Sequence, residues 1–206
     1  MMMGYVAWWI ARRFVRRFHA HQGGDSPPGG GLSSGLVPML GMGVWGGYVF
    51  WRTDDPKLIL AALIPTILFL SIGIVDLEAF RIPNELVWGV AAWGGAQVVW
   101  LGRPSWQAGL LGVLIAGGIF SLLAWAGRGA LGMGDVKFAA AEGALLGFPL
   151  ILPGLLLGIV FGGVVAGMLL LTRRAGRKDV FAYGPYLALG GWLIYLMSLH
   201  LLPWQP

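Results

Sequence analysis

From about residue 32 onward the chain is a succession of long apolar runs separated by short polar breaks. The runs predict helices over about 34–51, 58–75, 85–101, 106–126, 136–147, 150–171 and 184–202. Pro65 and Pro153 fall inside runs, which a membrane bundle tolerates because neighbouring helices re-satisfy the freed carbonyls. The 136–147 run is short, and Pro149 either ends it or kinks it into the next, giving six or seven spans. The expected fold class is therefore all-α, a polytopic membrane bundle of six to seven transmembrane helices.

Residues 1–31 read differently. The apolar stretch at the start is only about eleven residues, short of the roughly 20 that cross a bilayer. Its charges follow the apolar residues, and no small-residue cleavage site is evident, so it does not read as a signal peptide. Arg12, Arg13, Arg16 and Arg17 share one helical face, with Phe14, Val15 and Phe18 largely opposite. The segment is either an interfacial helix on an anionic leaflet or an unfolded basic arm. Residues 22–31, with their Gly, Pro and Ser, form a linker. The expected division is an N-terminal arm and linker at 1–31 and a transmembrane domain at 32–206.

Composition agrees with a membrane domain. Only 11% of the 206 residues are charged and 57% are hydrophobic, against roughly 25% charged residues in soluble domains. The absence of cysteine excludes disulfides, thiolate metal sites and a thiol nucleophile from this chain. His19 and His21 have no companion ligands nearby, so no metal is implied. The net charge of +5 has a topological reading that makes nucleic acid unnecessary. With the N-terminus cytoplasmic and seven spans, 11 of the 14 basic residues fall inside and only Arg52, Lys57 and Arg103 outside. The loops at 76–84, 127–135 and 172–183 then face the cytoplasm. Glycines four apart, at Gly43/Gly47, Gly143/Gly147, Gly154/Gly158/Gly162 and Gly163/Gly167, suit close helix packing.

Nine acidic residues can each be weighed. Asp25, Asp54, Asp55 and Asp179 read as solvated loop carboxylates, and Glu85 as a helix N-terminal charge. Asp76 closes one apolar run and Asp135 opens another, 59 positions later, both at the cytoplasmic ends of helices. Two carboxylates that share a proton can activate water, one as base and one as acid. On residue type alone, two interfacial carboxylates that cap helices or hold loops are the simpler reading.

The flanking residues sharpen the choice. Asp76 stands seven positions before Pro83-Asn84, Asp135 closes Gly132-Met133-Gly134-Asp135-Val136-Lys137, and Gly184-Pro185 enters the last run. Together these segments resemble the type IV prepilin peptidases, membrane aspartic proteases of the GxGD class, over about residues 58–202. The resemblance implies that Asp76 and Asp135 are catalytic and that the substrates are prepilin or pseudopilin precursors. It implies removal of a basic leader at the cytoplasmic face of a prokaryotic plasma membrane, with no cofactor. Gly132 and Gly134 are expected to adopt positive φ and approach the substrate strand. Lys137 is expected to snorkel to the headgroups, or else to balance charge near the pair. Glu78 and Arg81 are expected at the surface or against the leader.

Two departures stand out. Many bifunctional relatives carry two Cys-x-x-Cys pairs and also methylate the new N-terminus, so this chain is expected to cleave without methylating. Relative to that family a first transmembrane helix is missing or truncated. Glu142, seven residues after Asp135, lies roughly 10 Å deeper along the same helix. It either faces a water-filled cavity and modulates the pair, or is a neutral acid hydrogen-bonded to a neighbouring helix. Other readings are a preflagellin-type peptidase, a catalytically silent assembly factor, and a small proton-coupled transporter. The last would call for an internal repeat with matched broken helices, which the sequence does not show.

Overall fold

The computed structural model describes residues 2–21, 45, 48–49, 51–127, 131–173 and 181–199. Among them the secondary structure is entirely helical, and seven helices can be followed end to end. They are α1 (Met2–His21), α2 (Pro56–Ala79), α3 (Asn84–Leu101), α4 (Trp106–Ala126), α5 (Met133–Leu146), α6 (Ile151–Leu171) and α7 (Gly184–Ser198). The helix expected over 34–51 lies largely outside the described residues, as do the 22–31 linker and Gly43/Gly47.

Three of the helices, α2, α4 and α6, are long and apolar enough to cross a membrane. The chain is an all-α membrane bundle. At 14 residues α5 reaches only about 21 Å, less than a bilayer core of roughly 30 Å. It ends at Gly147, whose φ of 70° only glycine adopts easily, and a turn separates it from α6. Residues 136–171 are thus two helices and not one broken helix.

The capping chemistry explains where α2 begins and ends. Asp55 accepts from the Lys57 amide at 2.9 Å and Pro56 opens the first turn, where a missing N–H costs nothing. At the other end Phe80 adopts φ 51°, and its N–H returns to the Asp76 carbonyl at 2.8 Å. The helix therefore runs past residue 75, and Asp76 belongs to its last turn.

Packing follows neighbours: α1 on α2, α2 on α7, α7 on α6, α3 on α5 and α5 on α4 are the broad contacts. Glycines set several of them. Gly154, Gly158 and Gly162 of α6 face Gly191, Leu187 and Tyr183 of the α7 side, and Gly112 of α4 crosses backbone to backbone with Gly143 of α5. A Cβ on Gly163 or Gly167 would meet none of the described residues within 4 Å. Away from the aspartates, Gln97 of α3 donates to the Leu145 carbonyl at 2.6 Å. The Tyr195 hydroxyl of α7 lies 2.9 Å from both the Gln97 amide oxygen and the Ala61 carbonyl. One polar cluster thus ties α2, α3, α5 and α7 together.

The N-terminal helix is part of this packing. Ala7, Ala11 and Val15, spaced one turn apart, are buried, and the Ser71 hydroxyl of α2 donates to the Ala7 carbonyl at 3.3 Å. Arg13, Arg16 and Arg17 are exposed. The segment is helical and seated on α2, so the unfolded-arm alternative is corrected. Small residues make a close-packing stripe that contributes little to a hydropathy count.

Candidate active site

Asp76 ends α2 and Asp135 stands in the first turn of α5. The backbones of α2 and α5 do not approach each other closely; they are bridged by α3 and α7 and by the ring contact of Phe69 with Phe138 at 5.8 Å. A cavity of about 880 Å³ opens at that end of the bundle, and both carboxylates line it. Pro83, Asn84, Gly132, Gly134 and Lys137 line it too. The segments singled out from the sequence therefore converge in space.

Each carboxylate is held differently. Asp76 is 5% exposed, and its Oδ2 accepts the Gly184 amide at 2.9 Å. Gly184 is the first residue of α7, so the donor is an otherwise orphaned N–H at a helix N-terminus. A Cβ on Gly184 would stand 2.8 Å from that oxygen, and this is why glycine is needed there. Pro185 follows it in the first turn of α7, where proline costs no backbone bond.

Asp135 reaches back toward the start of its own helix. Gly132 is the N-cap, and a Cβ there would lie 3.2 Å from Asp135 Oδ2. Gly132 has φ −70°, and among the described residues only Gly102 and Gly147 are glycines with positive φ. The expectation of positive φ at Gly132 and Gly134 is therefore corrected: both are glycines for space. A Cβ on Gly134 would stand 3.2 Å from Ile82 Cβ. Burial first, and then the charge of Asp76, push the Asp135 carboxyl up to about 6, against a backbone hydrogen bond at Gly132 that pulls the other way.

Lys137 donates to Asn84 Oδ1 at 3.2 Å, at the rim of the cavity. Its side chain remains exposed there. Arg81 also lines the cavity, whereas Glu78, half-buried, does not. Glu142 is fully buried, does not line the cavity, and neither carboxyl oxygen has a hydrogen-bond partner among the described residues. It sits in the notch left by Gly191, where a Cβ would come within 2.6 Å of Oε1. That packing sets the Glu142 carboxyl against α7.

Four contributors to the site were not expected there from the sequence. Phe14 and Arg17 of α1 form part of the cavity wall. Ile82 wedges between Gly134 and Gly184 and so couples the two glycine segments. Tyr183, just before α7, fits its ring against Gly162, and burial and then the charge of Asp135 push its phenol up to about 12. Among the described residues no group of acids and histidines is arranged to hold a metal.

The model of the type IV leader peptidase family matches residues 62–167, more than half of the chain and inclusive of both aspartates. The chain is 31% identical over 152 residues to the prepilin leader peptidase/N-methyltransferase of Aeromonas salmonicida, covering 70% of this chain and 52% of that protein. Proteins with the same description from Pseudomonas aeruginosa (28% over 163 residues; 73% and 53%) and Bacillus subtilis (26% over 138 residues; 65% and 56%) are also similar. The chain spans about half the length of these relatives. No solved structure matches it. With its two aspartate segments inside the matched region, the chain belongs to the type IV leader peptidase family.

Proposed function

We propose that this chain is an aspartic endopeptidase that removes the basic leader from prepilin or pseudopilin precursors at the cytoplasmic face of a prokaryotic inner membrane. The observation that carries it is the convergence of Asp76 and Asp135, 59 positions apart in sequence, on one open cavity at the end of a membrane bundle. Family membership supports the peptidase class, and the basic residues Arg17, Arg81 and Lys137 at the cavity agree with a cytoplasmic location by the positive-inside rule.

The two carboxyls suit different roles. Asp76 accepts the Gly184 amide, a bond that is strongest to an ionised oxygen, and in this scheme it serves as the base. Asp135, raised to about 6, holds the shared proton and serves as the acid. Asp76 takes a proton from water as the water oxygen bonds to the scissile carbonyl carbon, and Asp135 donates its proton to the carbonyl oxygen. The tetrahedral intermediate then breaks its C–N bond, the leaving amine taking the proton held on Asp76 while the new carboxyl returns one to Asp135. No metal or organic cofactor enters the scheme.

The test is cleavage of a co-expressed precursor by the wild type, Asp76→Asn and Asp135→Asn, read as a mass loss equal to the leader. Asn keeps the shape and cannot cycle a proton. Cleavage by the wild type and by neither variant, at equal membrane abundance, is the expected result. Wild-type rates in either variant would overturn the assignment.

A further inference from the structure

The two aspartates are carried by helices whose backbones stay apart. Phe69 touches Phe138 about 10 Å below Asp76 along α2, but at the level of the carboxyls another side chain has to set the spacing. Asp76 is fixed to the start of α7 through the Gly184 amide, and Asp135 stands one residue beyond Gly134 in the first turn of α5. Ile82, on the link between α2 and α3, packs against both places.

A Cβ on Gly134 would stand 3.2 Å from Ile82 Cβ and 3.6 Å from its Cγ1, and one on Gly184 would stand 3.1 Å from its Cδ1. The point that the Gly184 Cβ would occupy is also 3.1 Å from the carboxyl carbon of Asp76. The far end of Ile82 and the Asp76 carboxyl therefore share the notch that a missing side chain leaves. The near end of Ile82 fills the other notch, at Gly134, next to Asp135. Ile82 is half-buried, lines the cavity and packs on the hydrophobic core behind it. Its surroundings make it rigid. Phe80 turns the chain out of α2 in a left-handed conformation, and the buried Pro83 caps the start of α3. A residue before proline is confined to extended conformations, and a β-branched side chain has few χ1 choices.

Resting on the peptidase reading above, we infer that Ile82 is a positioning residue that sets the separation of the Asp76 and Asp135 carboxyls for the cleavage step. It acts through the two glycine segments and takes no proton itself. A misplacement of about 1 Å at a reacting centre is enough to slow a reaction about 100-fold, so the demand on such a spacer is strict. The other charged groups at the cavity, Arg17, Arg81, Glu85 and Lys137, are the same in every variant below.

The test measures kcat and KM for precursor cleavage in three variants. Ile82→Ala loses every atom beyond Cβ and is expected to lower kcat by about 10- to 100-fold, with KM within about twofold of wild type. Ile82→Val keeps the atoms that meet Gly134 and loses only Cδ1, so its loss should be smaller. Ile82→Leu conserves the volume and should stay within about threefold of wild type. The alkaline limb of the pH profile should be displaced in Ile82→Ala, because burial and the charge of Asp76, which raise the Asp135 carboxyl, both change with the spacing. Loss of folded enzyme alone scales kcat and leaves the limb in place. A second readout needs no activity. The chain contains no cysteine, so Asp76→Cys with Asp135→Cys makes a unique thiol pair, and bifunctional thiol reagents of graded length measure its span. One length should dominate beside Ile82, and several should serve equally in Ile82→Ala.

An unmoved limb in Ile82→Ala, whatever its kcat, or the same single span with and without the Ile82 side chain, would overturn the spacer and leave the peptidase reading intact. Failure of the wild type to cut would remove the peptidase reading, and the part of Ile82 in cleavage with it, while the thiol span still decides whether Ile82 holds the two positions apart.

Discussion

Asp135 is the residue whose environment makes the most direct statement about chemistry. An acid that must hold its proton loses activity as pH rises through its folded-state value, here about 6. The kcat/KM profile for precursor cleavage is therefore expected to fall on its alkaline limb near pH 6, with the limb belonging to the dyad as a unit. A profile flat from pH 5 to about 8 would remove Asp135 from the acid role. Glu142 is the opposite case, a carboxyl with a seat and no hydrogen-bond partner among the described residues. Leaving a buried polar group unsatisfied costs about 1–3 kcal/mol, so Glu142→Leu, similar in volume, is expected to stabilise the bundle by that order. Thermal unfolding in detergent measures it, and a lowered midpoint would show that the carboxyl has a bonding role. The aspartates and most of their flanking motifs could be picked out in the sequence, and the fold brings them to one cavity. The reason for the glycines was not legible there: whether a missing Cβ serves a backbone angle or a neighbour's oxygen depends on which distant segment arrives beside it, Gly184 beside Asp76 being the example.

At the scale of the element, the glycine stripe of α6 separates packing from chance. A Cβ on Gly158 would stand 2.9 Å from Leu187 Cα, while one on Gly163 meets nothing. Gly158→Ala is thus expected to destabilise by about 1–3 kcal/mol through overpacking. Gly163→Ala should be neutral or gain up to about 1 kcal/mol from helix propensity. Unfolding midpoints of the two variants side by side decide the matter, and equal effects would mean that α6 and α7 do not pack through this stripe. The helices themselves were largely legible: α3, α4 and α6 fall within a residue of the ranges read from the apolar runs. The misses have local causes. The last turn of α2 extends to Ala79 because Phe80 accepts a left-handed conformation, at a cost of about 1–2 kcal/mol that composition does not reveal. The first turn of α5 starts at Met133 because Gly132 caps it.

For the whole molecule, the least legible contribution was that of α1. Its buried stripe is Ala7, Ala11 and Val15, too small to register as a span, yet it carries Phe14 and Arg17 to the cavity. Removing residues 2–21 is expected to lower the precursor cleavage rate by about tenfold or more, in line with the cost of losing one wall of a positioned site. The aspartates and the sequence of α2 to α7 are unchanged in that variant. An unchanged rate at equal abundance would show that α1 is dispensable scaffolding.

The hydrogen bond from Gly184 to Asp76 closes a loop of 108 residues, and this bears on how the protein is made. A ribosome delivers Asp76 to the bilayer long before it delivers the amide that will receive its charge. Until α7 inserts, the nascent chain carries the Asp76 carboxylate at the end of α2 without the Gly184 amide. A chain stalled before α7 therefore holds Asp76 without the Gly184 amide, however well its earlier helices have assembled.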